Sequence, residues 1–428
     1  MPVNDGTTPR LPGRVCASKC RSGHFRSGVM NHPKSALKSA HLQPNNKNQS
    51  TMPFTLESAV RPNILRLQPY RCARDDYSEG ILLDANENAF GPAASRPEHI
   101  QMQLERYPDP HQAVLKEKLK EFRGVPSTDY FFVGVGSDES IDLAIRIFCT
   151  PGQDKILITP PTYGMYSVSA NINDVGIVKV PLDVEGGRFS LMTENIKNAL
   201  RSDKSIKIVF LCSPGNPTGT LLREQDIREI LEFEEYSGVV LVDEAYVDFC
   251  EKESSVASWV TKYPNLIVIQ TLSKSFGLAG IRLGIAIANP QIAQIFNNTK
   301  APYNISTLTS SVAISALEDS GLEKMKLHVR LIWEQRDRLS RELLKFPQVG
   351  AILGGNDGNF VMAQLVNEKG EPDNTLAVAV YKRLAEVEGI VVRFRGMEVG
   401  CGGCLRISVG TADENSALLE KLNLIFKS

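Results

Sequence analysis

Between residues 130 and 288 the chain repeats one pattern: a short apolar run bounded by polar residues or glycine, then a longer stretch, in several cases long enough for a helix. The runs fall at Tyr130–Val135, Lys155–Thr159, Gly176–Val180, Ile206–Cys212, Val239–Val242, Leu266–Gln270 and Leu283–Ala288. Most are apolar at successive positions, which predicts strands buried on both faces. Asp138–Phe148 and Arg223–Phe233 read as helices between them. Such strands build a mainly parallel sheet, because parallel neighbours need crossovers and the crossover helices cover both faces. After Asp319-Ser320-Gly321 the pattern changes. A long charged amphipathic helix is expected at Leu322–Leu344, strands at Gly358–Gln364, Gly389–Arg395 and Cys404–Gly410, and a helix at Thr375–Glu388. The expected organisation is a large α/β domain over 81–320 and a smaller α+β C-terminal domain over 321–428. An arm at 53–80 and an extension at 1–52 precede them.

A length of 428 residues is ample for two or three such units. With 48 basic and 49 acidic residues the formal net charge is −1, which removes the electrostatic case for a nucleic-acid binder. No apolar run is long enough to cross a membrane. Residues 1–52 stand apart, with eight basic residues against one acid, Asp5, and no apolar periodicity. This segment reads as a disordered extension, or as an over-long start with Met52 as the first residue, and the expected location is cytoplasmic. A mitochondrial transit peptide is the alternative, although no amphipathic Arg helix is visible. Eight cysteines do not make a disulfide framework, and only Cys401-Gly402-Gly403-Cys404 has CxxC spacing. Zinc needs four ligands, and no second CxxC or His pair accompanies this one, so a tight glycine turn flanked by thiols is expected and no metal.

Chemistry enters at the ends of three expected strands. Asp243 follows Val239–Val242, Lys274 lies just beyond Leu266–Gln270, and Asn216 lies just beyond Ile206–Cys212. Ligands of open α/β sheets bind outside the carboxyl ends of the strands, so these three side chains can converge. Their spacings of 27 and 31 residues each match one strand–helix–strand unit. A lysine, a carboxylate and an amide in one crevice suggest a pyridoxal phosphate site: the aldehyde needs an amine, and the ring nitrogen needs an anion to stay protonated. Gly134-Val135-Gly136-Ser137-Asp138-Glu139 runs from a strand into a helix, with Ser137 or Asp138 placed to N-cap it. Free amides and the helix dipole there would hold a phosphate, and Arg282 could add a bidentate cation.

These residues carry a resemblance. Asp243-Glu244-Ala245-Tyr246, Ser273-Lys274 with Arg282, and Asn216-Pro217-Thr218-Gly219 resemble the class II aminotransferases of fold type I. Arg106-Tyr107-Pro108-Asp109-Pro110, Pro161-Thr162-Tyr163-Gly164-Met165-Tyr166, Leu83-Asp84-Ala85-Asn86-Glu87-Asn88, Gly358-Asn359-Phe360 and Leu405-Arg406-Ile407-Ser408-Val409-Gly410 narrow it to the histidinol-phosphate aminotransferase family. The likeness covers about residues 55–428 and implies a fold type I pyridoxal-phosphate-dependent transferase, α/β, with a large mostly parallel α/β/α sandwich domain and a smaller α+β C-terminal domain. One departure stands out, Gly215 where the family loop has a first Asn.

The resemblance also implies roles. Lys274 would bind pyridoxal 5'-phosphate as a Schiff base and then shuttle a proton, while Asp243 would pair with the ring nitrogen. Asn216 and Tyr246 would hydrogen-bond the phenolic oxygen, and Tyr163 would stack on the ring. Ser273, Arg282 and the amides around Ser137, Asp138 and Glu139 would hold the cofactor phosphate. Tyr107 would reach that phosphate from the neighbouring subunit, making a homodimer the working unit. Arg406, assisted by Arg393, would bind the anionic end of histidinol phosphate and of glutamate, and Asn86 would also face the substrate. An aromatic amino-acid aminotransferase or a threonine-phosphate decarboxylase-like enzyme is the alternative on the same site. A cofactor-binding transcriptional regulator would need an upstream helix-turn-helix domain, and residues 1–52 are too short and too broken by Pro and Gly for one.

Overall fold

The computed structural model describes residues 77, 80–83, 86, 90 and 108–427. Strand β1 (Ile81–Leu82) comes first, followed by β2 (Phe131–Val135), β3 (Lys155–Ile158), β4 (Gly176–Lys179), β5 (Ile206–Cys212), β6 (Val239–Asp243), β7 (Leu266–Thr271) and β8 (Leu283–Ala288). Strands β9 (Val349–Leu353), β10 (Phe360–Leu365), β11 (Ile390–Val391), β12 (Arg393–Phe394) and β13 (Cys404–Ser408) lie in the C-terminal part.

A seven-stranded sheet in the order β2-β8-β7-β6-β5-β3-β4 carries the larger core. Every neighbouring pair is parallel except those made by β8, which runs antiparallel to both β2 and β7. The period of two along β5 shows why the run has to be apolar throughout. Ile208, Phe210 and Cys212 join one core with Ile141, Ile145 and Tyr166. Val209 and Leu211 join the opposite core with Ile227, Ile230 and Phe249. Each fully buried side chain of this size contributes about 1.5–3 kcal/mol, so neither face can be given to solvent. The Gly136–Phe148 helix covers the first of these cores; Asp138 and Glu139 in its first turn and Arg146 in its last complement the helix dipole.

The C-terminal part builds a four-stranded antiparallel sheet in the order β12-β13-β10-β9. Its core joins Val361, Ala363, Leu405 and Ile407 to Leu339, Leu343, Leu384 and Leu418. Three expectations need correction here. The long helix runs Asp319–Leu343 where Leu322–Leu344 was expected, so Asp319-Ser320-Gly321 form its first turn. Leu322 N–H bonds to Glu318 O at 2.9 Å, and Asp319 suits the positive end of the helix. Strand β9 was not foreseen. The Gly389–Arg395 run is not one strand: β11 pairs in parallel with β1, whereas β12 pairs antiparallel with β13, the chain changing partners at Val392.

Register places the crevice. Cys212 is opposite Asp243, and Asp243 is opposite Ile269, so the carboxyl ends of β5, β6 and β7 lie side by side. In the small sheet Arg393 is opposite Arg406, which puts both arginines on one face.

Candidate active site

Asp243 is the last residue of β6 and only 3% exposed. Its Oδ2 accepts from the Tyr166 hydroxyl at 2.6 Å and its Oδ1 from the Ala245 N–H at 3.1 Å. Burial pushes its pKa up to about 6, against the pull of those two hydrogen bonds and of Lys274. Lys274, three residues past β7, holds its Nζ 5.9 Å from the centre of the Tyr246 ring. Tyr246 is buried beside Phe360, and its hydroxyl accepts from Asn86 Nδ2 at 3.1 Å. Burial raises the Tyr246 phenol to about 12, with Arg406 and Asn86 opposing. Asn86 takes φ 52° and is fixed on all sides: its N–H donates to Ser408 Oγ, its Oδ1 accepts from the same hydroxyl, and its carbonyl accepts from Asn359 Nδ2.

Asn216 lies four residues past β5, in a loop closed by the Gly215 N–H to Thr220 O and Gly219 N–H to Gly215 O bonds. Gly215 has a reason to be glycine here, since a Cβ would stand 2.3 Å from Thr218 Oγ1. Asn216 Oδ1 accepts from Arg406 Nη1, and the Arg406 guanidinium lies 5.4 Å from the Phe360 ring centre. Arg406 is 4% exposed, so the crevice holds a buried cation next to a buried amide.

At the other end of the crevice, Gly136 begins its helix with φ 70° and donates to Arg282 O at 2.9 Å. A Cβ on Gly284 would come within 2.2 Å of Ser137 N, and one on Gly136 within 2.5 Å of Arg282 Nη2. Bare backbone therefore lets β8, the helix start and the guanidinium meet. Helix geometry leaves the amides of Ser137, Asp138 and Glu139 without intrahelical acceptors. Asp138 links the parts: its Oδ2 lies 3.4 Å from Arg282 Nη2 and its Oδ1 accepts from the Tyr163 hydroxyl at 3.1 Å. The expected N-cap is corrected. Ser137 and Asp138 sit inside the first turn, and Glu139 reaches back to accept the Val135 N–H and Asn304 Nδ2. Ser273 is buried, its hydroxyl accepting from Thr271 Oγ1 at 2.8 Å.

Lys274, Asp243, Tyr246, Asn86, Asn216 and Arg406 thus meet around one crevice, and Tyr163, Asp138 and Arg282 form a linked set at its end. Arg393 is brought to the Arg406 face by register. Tyr107 lies outside the described residues. Tyr166 was missed as a site residue; it lies in the first turn of the Met165–Ile172 helix, its ring meeting that of Tyr163 edge-on with centroids 5.6 Å apart, and helical spacing gave no signal because Tyr163 precedes the helix. Cys401 and Cys404 are buried free thiols in a turn closed by Cys404 N–H to Cys401 O, and no group of three or more His, Cys, Asp or Glu among the described residues is arranged to hold a metal.

A lysine and a buried carboxylate at adjacent strand ends, with a buried arginine across the crevice, are the groups that the resemblance to the aminotransferases calls for, set on an α/β fold. Solved structures share the fold. The histidinol-phosphate aminotransferase of Clostridium acetobutylicum superposes with a TM-score of 0.70 at 25% identity, over 81% of this chain and 99% of that one. That of Sinorhizobium meliloti, solved in complex with pyridoxal-5'-phosphate, gives 0.74 at 23% identity over 86% and 98%. In sequence, the histidinol-phosphate aminotransferase of Candida maltosa is 49% identical over 87% of this chain and 98% of its own length, and that of Saccharomyces cerevisiae 50% identical over 86% and 97%. The family model for aminotransferase class I and II matches residues 78–422, and the chain belongs to that family.

Proposed function

We propose that this chain transfers the amino group of L-histidinol phosphate to 2-oxoglutarate, giving imidazole acetol phosphate and L-glutamate in histidine biosynthesis, with pyridoxal 5'-phosphate as cofactor. The relatives in sequence bear that activity in their names. The observation that carries the reading is the joining of two kinds of group in one crevice: Asp243 and Lys274 at strand ends, and Arg406 hydrogen-bonded to Asn216 across from them. The residues present fit the cofactor. Arg282 packs against the bare Gly136 turn beside the helix-start amides, the donor set a phosphate takes. Asp243 is a buried carboxylate with a raised pKa, which a ring N–H would relieve of its desolvation.

When bound, pyridoxal phosphate supplies an aldehyde for the substrate amine and a ring that takes up the electron pair left at Cα. Asp243 holds a proton at the ring nitrogen. Lys274 Nζ would take the proton from the substrate's Cα and give it back. Asn216 and Tyr246 would hold the phenolic oxygen, Tyr163 would pack on the ring, and Ser273, Arg282 and the Ser137, Asp138 and Glu139 amides would hold the phosphate. Arg406 and Arg393 bind the substrate's anionic end, with Asn86 fixing Tyr246. Residues 108–318 act as the large domain and 319–428 as the small one, which also takes in β1 through its pairing with β11, and Tyr107 completes the site of a second copy in a homodimer. The cytoplasmic location expected from the composition of residues 1–52 belongs to the same proposal; separately, no described helix is long and apolar enough to cross a membrane.

The test is a half-reaction on purified holoenzyme. L-histidinol phosphate should move the cofactor's absorbance band towards the ultraviolet, and 2-oxoglutarate should restore it. A response to aromatic amino acids or threonine phosphate with none to histidinol phosphate overturns the reading.

A further inference from the structure

The Ala113–Arg123 helix brings one cation to the segments that follow β6 and β7. Arg123, its last residue, sets Nη1 2.8 Å from Asp248 Oδ1, and both side chains of this pair are 12% exposed. Its Nε donates to Gln270 Oε1 at 2.7 Å, and Gln270 Nε2 donates to Glu244 Oε2 at 2.7 Å. Gln270 is on β7 and Glu244 directly follows Asp243, both buried. The guanidinium lies 4.1 Å from the centre of the Phe122 ring, which meets Phe276 edge-on. Asp248 turns its second oxygen the other way: Oδ2 accepts from Ser275 Oγ at 2.7 Å. Asp248 stands two residues after Tyr246, in the short Val247–Phe249 turn, and Ser275 directly follows Lys274 and is buried. The bond therefore joins the two turns that bring Lys274 Nζ to the Tyr246 ring. On the other side of Lys274, the Ser273 N–H bonds to Thr271 Oγ1 at 3.1 Å.

We propose that Asp248, paired with Arg123, is a positioning residue for Lys274: through the Ser275 hydroxyl it fixes the backbone from which the lysine reaches the reacting carbon. A lysine carries its amine on a flexible four-carbon stem, so Nζ keeps its place only if the backbone beneath it is anchored. A carboxylate grips a hydroxyl more strongly than a neutral acceptor does, and the planar, always charged guanidinium holds that carboxylate ionised and oriented. Ion pairs withdrawn from water contribute little net stability once their desolvation is counted, so the use of this one lies in geometry. Misplacing a reacting group by an ångström costs up to about 10²-fold in rate. The inference rests on the reading of function above, in which Lys274 carries the proton, and extends it to the groups that hold Lys274 in place.

The test uses the full-length protein and the variants Ser275→Ala, Asp248→Ala, their double variant and Asp248→Asn. In cofactor-free protein, amide hydrogen exchange over 272–278 should quicken about tenfold in Asp248→Ala, as for one lost charge-assisted hydrogen bond. In holoenzyme, Asp248→Ala should lower kcat about 10–10²-fold with histidinol phosphate and with glutamate alike, at nearly unchanged KM. The deuterium isotope effect with Cα-deuterated glutamate should rise, because proton transfer through a misplaced Nζ becomes the slow step. Ser275→Ala, which removes one hydroxyl and leaves the ion pair, should show the same signs more weakly. The double variant should be no slower than Asp248→Ala, since both changes break one bond, and Asp248→Asn, which keeps an acceptor, should recover part of the rate. Losses that multiply in the double variant overturn the proposal. Borohydride fixation on wild type separates the two failures. Cofactor fixed to another lysine overturns the reading of the site and this proposal with it. Cofactor fixed to Lys274, with wild-type exchange and isotope effect in Asp248→Ala and Ser275→Ala, overturns the proposal alone.

Discussion

On the large-sheet side of the crevice, Asp243 ends β6, a strand buried at every position, and its place is set by ladders to β5 on one side and β7 on the other. On the small-sheet side, Arg393 stands on a two-residue strand and Arg395 and Glu398 on the loop after it, where Met397 is 83% exposed. The first wall cannot shift a carboxylate without unpicking the sheet. The second can change its outline by changing a loop. On this division Asp243 lies where backbone register fixes it from both sides, and Arg393, proposed to separate one substrate from another, lies on the edge strand of the small sheet. Substitutions on the first wall should lower rate for every substrate, whereas those on the second should separate one substrate from another.

The largest effect belongs to Lys274. Lys274→Ala should lose both half-reactions by at least about 10⁴-fold, because one amine is asked to anchor the cofactor and to carry the proton. Borohydride reduction should fix the cofactor to the peptide holding Lys274, and a label on a different lysine would move the reactive group off the β7 end. Asp243→Asn should come next, folding normally and turning over about 10²–10³-fold more slowly with either donor. It has a second readout in the cofactor-free protein. The folded pKa of Asp243 is raised to about 6 from 3.8, so the folded state holds this proton more tightly than the unfolded chain does. Its contribution to stability is therefore fully present below about pH 4 and is lost as pH rises through about 6, on the order of 2–3 kcal/mol. Thermal melts of Asp243→Asn should lack that slope. A slope identical to wild type would show that Asp243 does not titrate there.

Much of the large-sheet wall was legible because long apolar runs announce buried strands, and because spacings of 27 and 31 residues put Asn216, Asp243 and Lys274 at or just beyond the ends of the neighbouring strands β5, β6 and β7. The direction of β8 was not legible, since periodicity carries no direction. The change of partner between β11 and β12 was hidden for the same reason: Ile390 to Phe394 reads as one run whether its ladder goes to β1 or to β13. Cap propensity favoured Ser137 and Asp138, but a glycine able to adopt φ 70° let the helix begin earlier, and Glu139 took the free amide instead. Arg393 could be named from its motif, yet only register shows that it shares a face with Arg406.

That shared face gives the next prediction, which separates the walls. Arg406→Lys keeps the charge but loses the planar fork, so both half-reactions should weaken. Arg393→Ala should weaken histidinol phosphate more than glutamate, by roughly 1–3 kcal/mol, because a phosphate monoester carries nearly two charges and a carboxylate one. Separate titrations with the two donors measure it. Equal losses would place Arg393 with the rate-setting groups and blur the comparison.

The smallest expected effect tests the large-sheet wall from behind. Tyr166 donates to Asp243 Oδ2 from a buried position, its ring stacked on Phe210 with centroids 4.6 Å apart. Tyr166→Phe keeps that stack and removes the hydroxyl alone. The hydrogen bond favours the charged carboxylate and holds the Asp243 pKa down, so its loss should raise the pKa above about 6. By the same sign argument, the pH window over which the cofactor-free protein loses stability should move upward, while Asp243→Asn abolishes it. Turnover should fall about tenfold, as for one charge-assisted hydrogen bond, with the ratio between the two donors unchanged. A melt whose pH midpoint does not move would mean that the Tyr166 hydroxyl leaves the proton affinity of Asp243 untouched. An altered donor ratio would mean that a residue behind the sheet reaches the recognition wall, and the division between the two walls would fail.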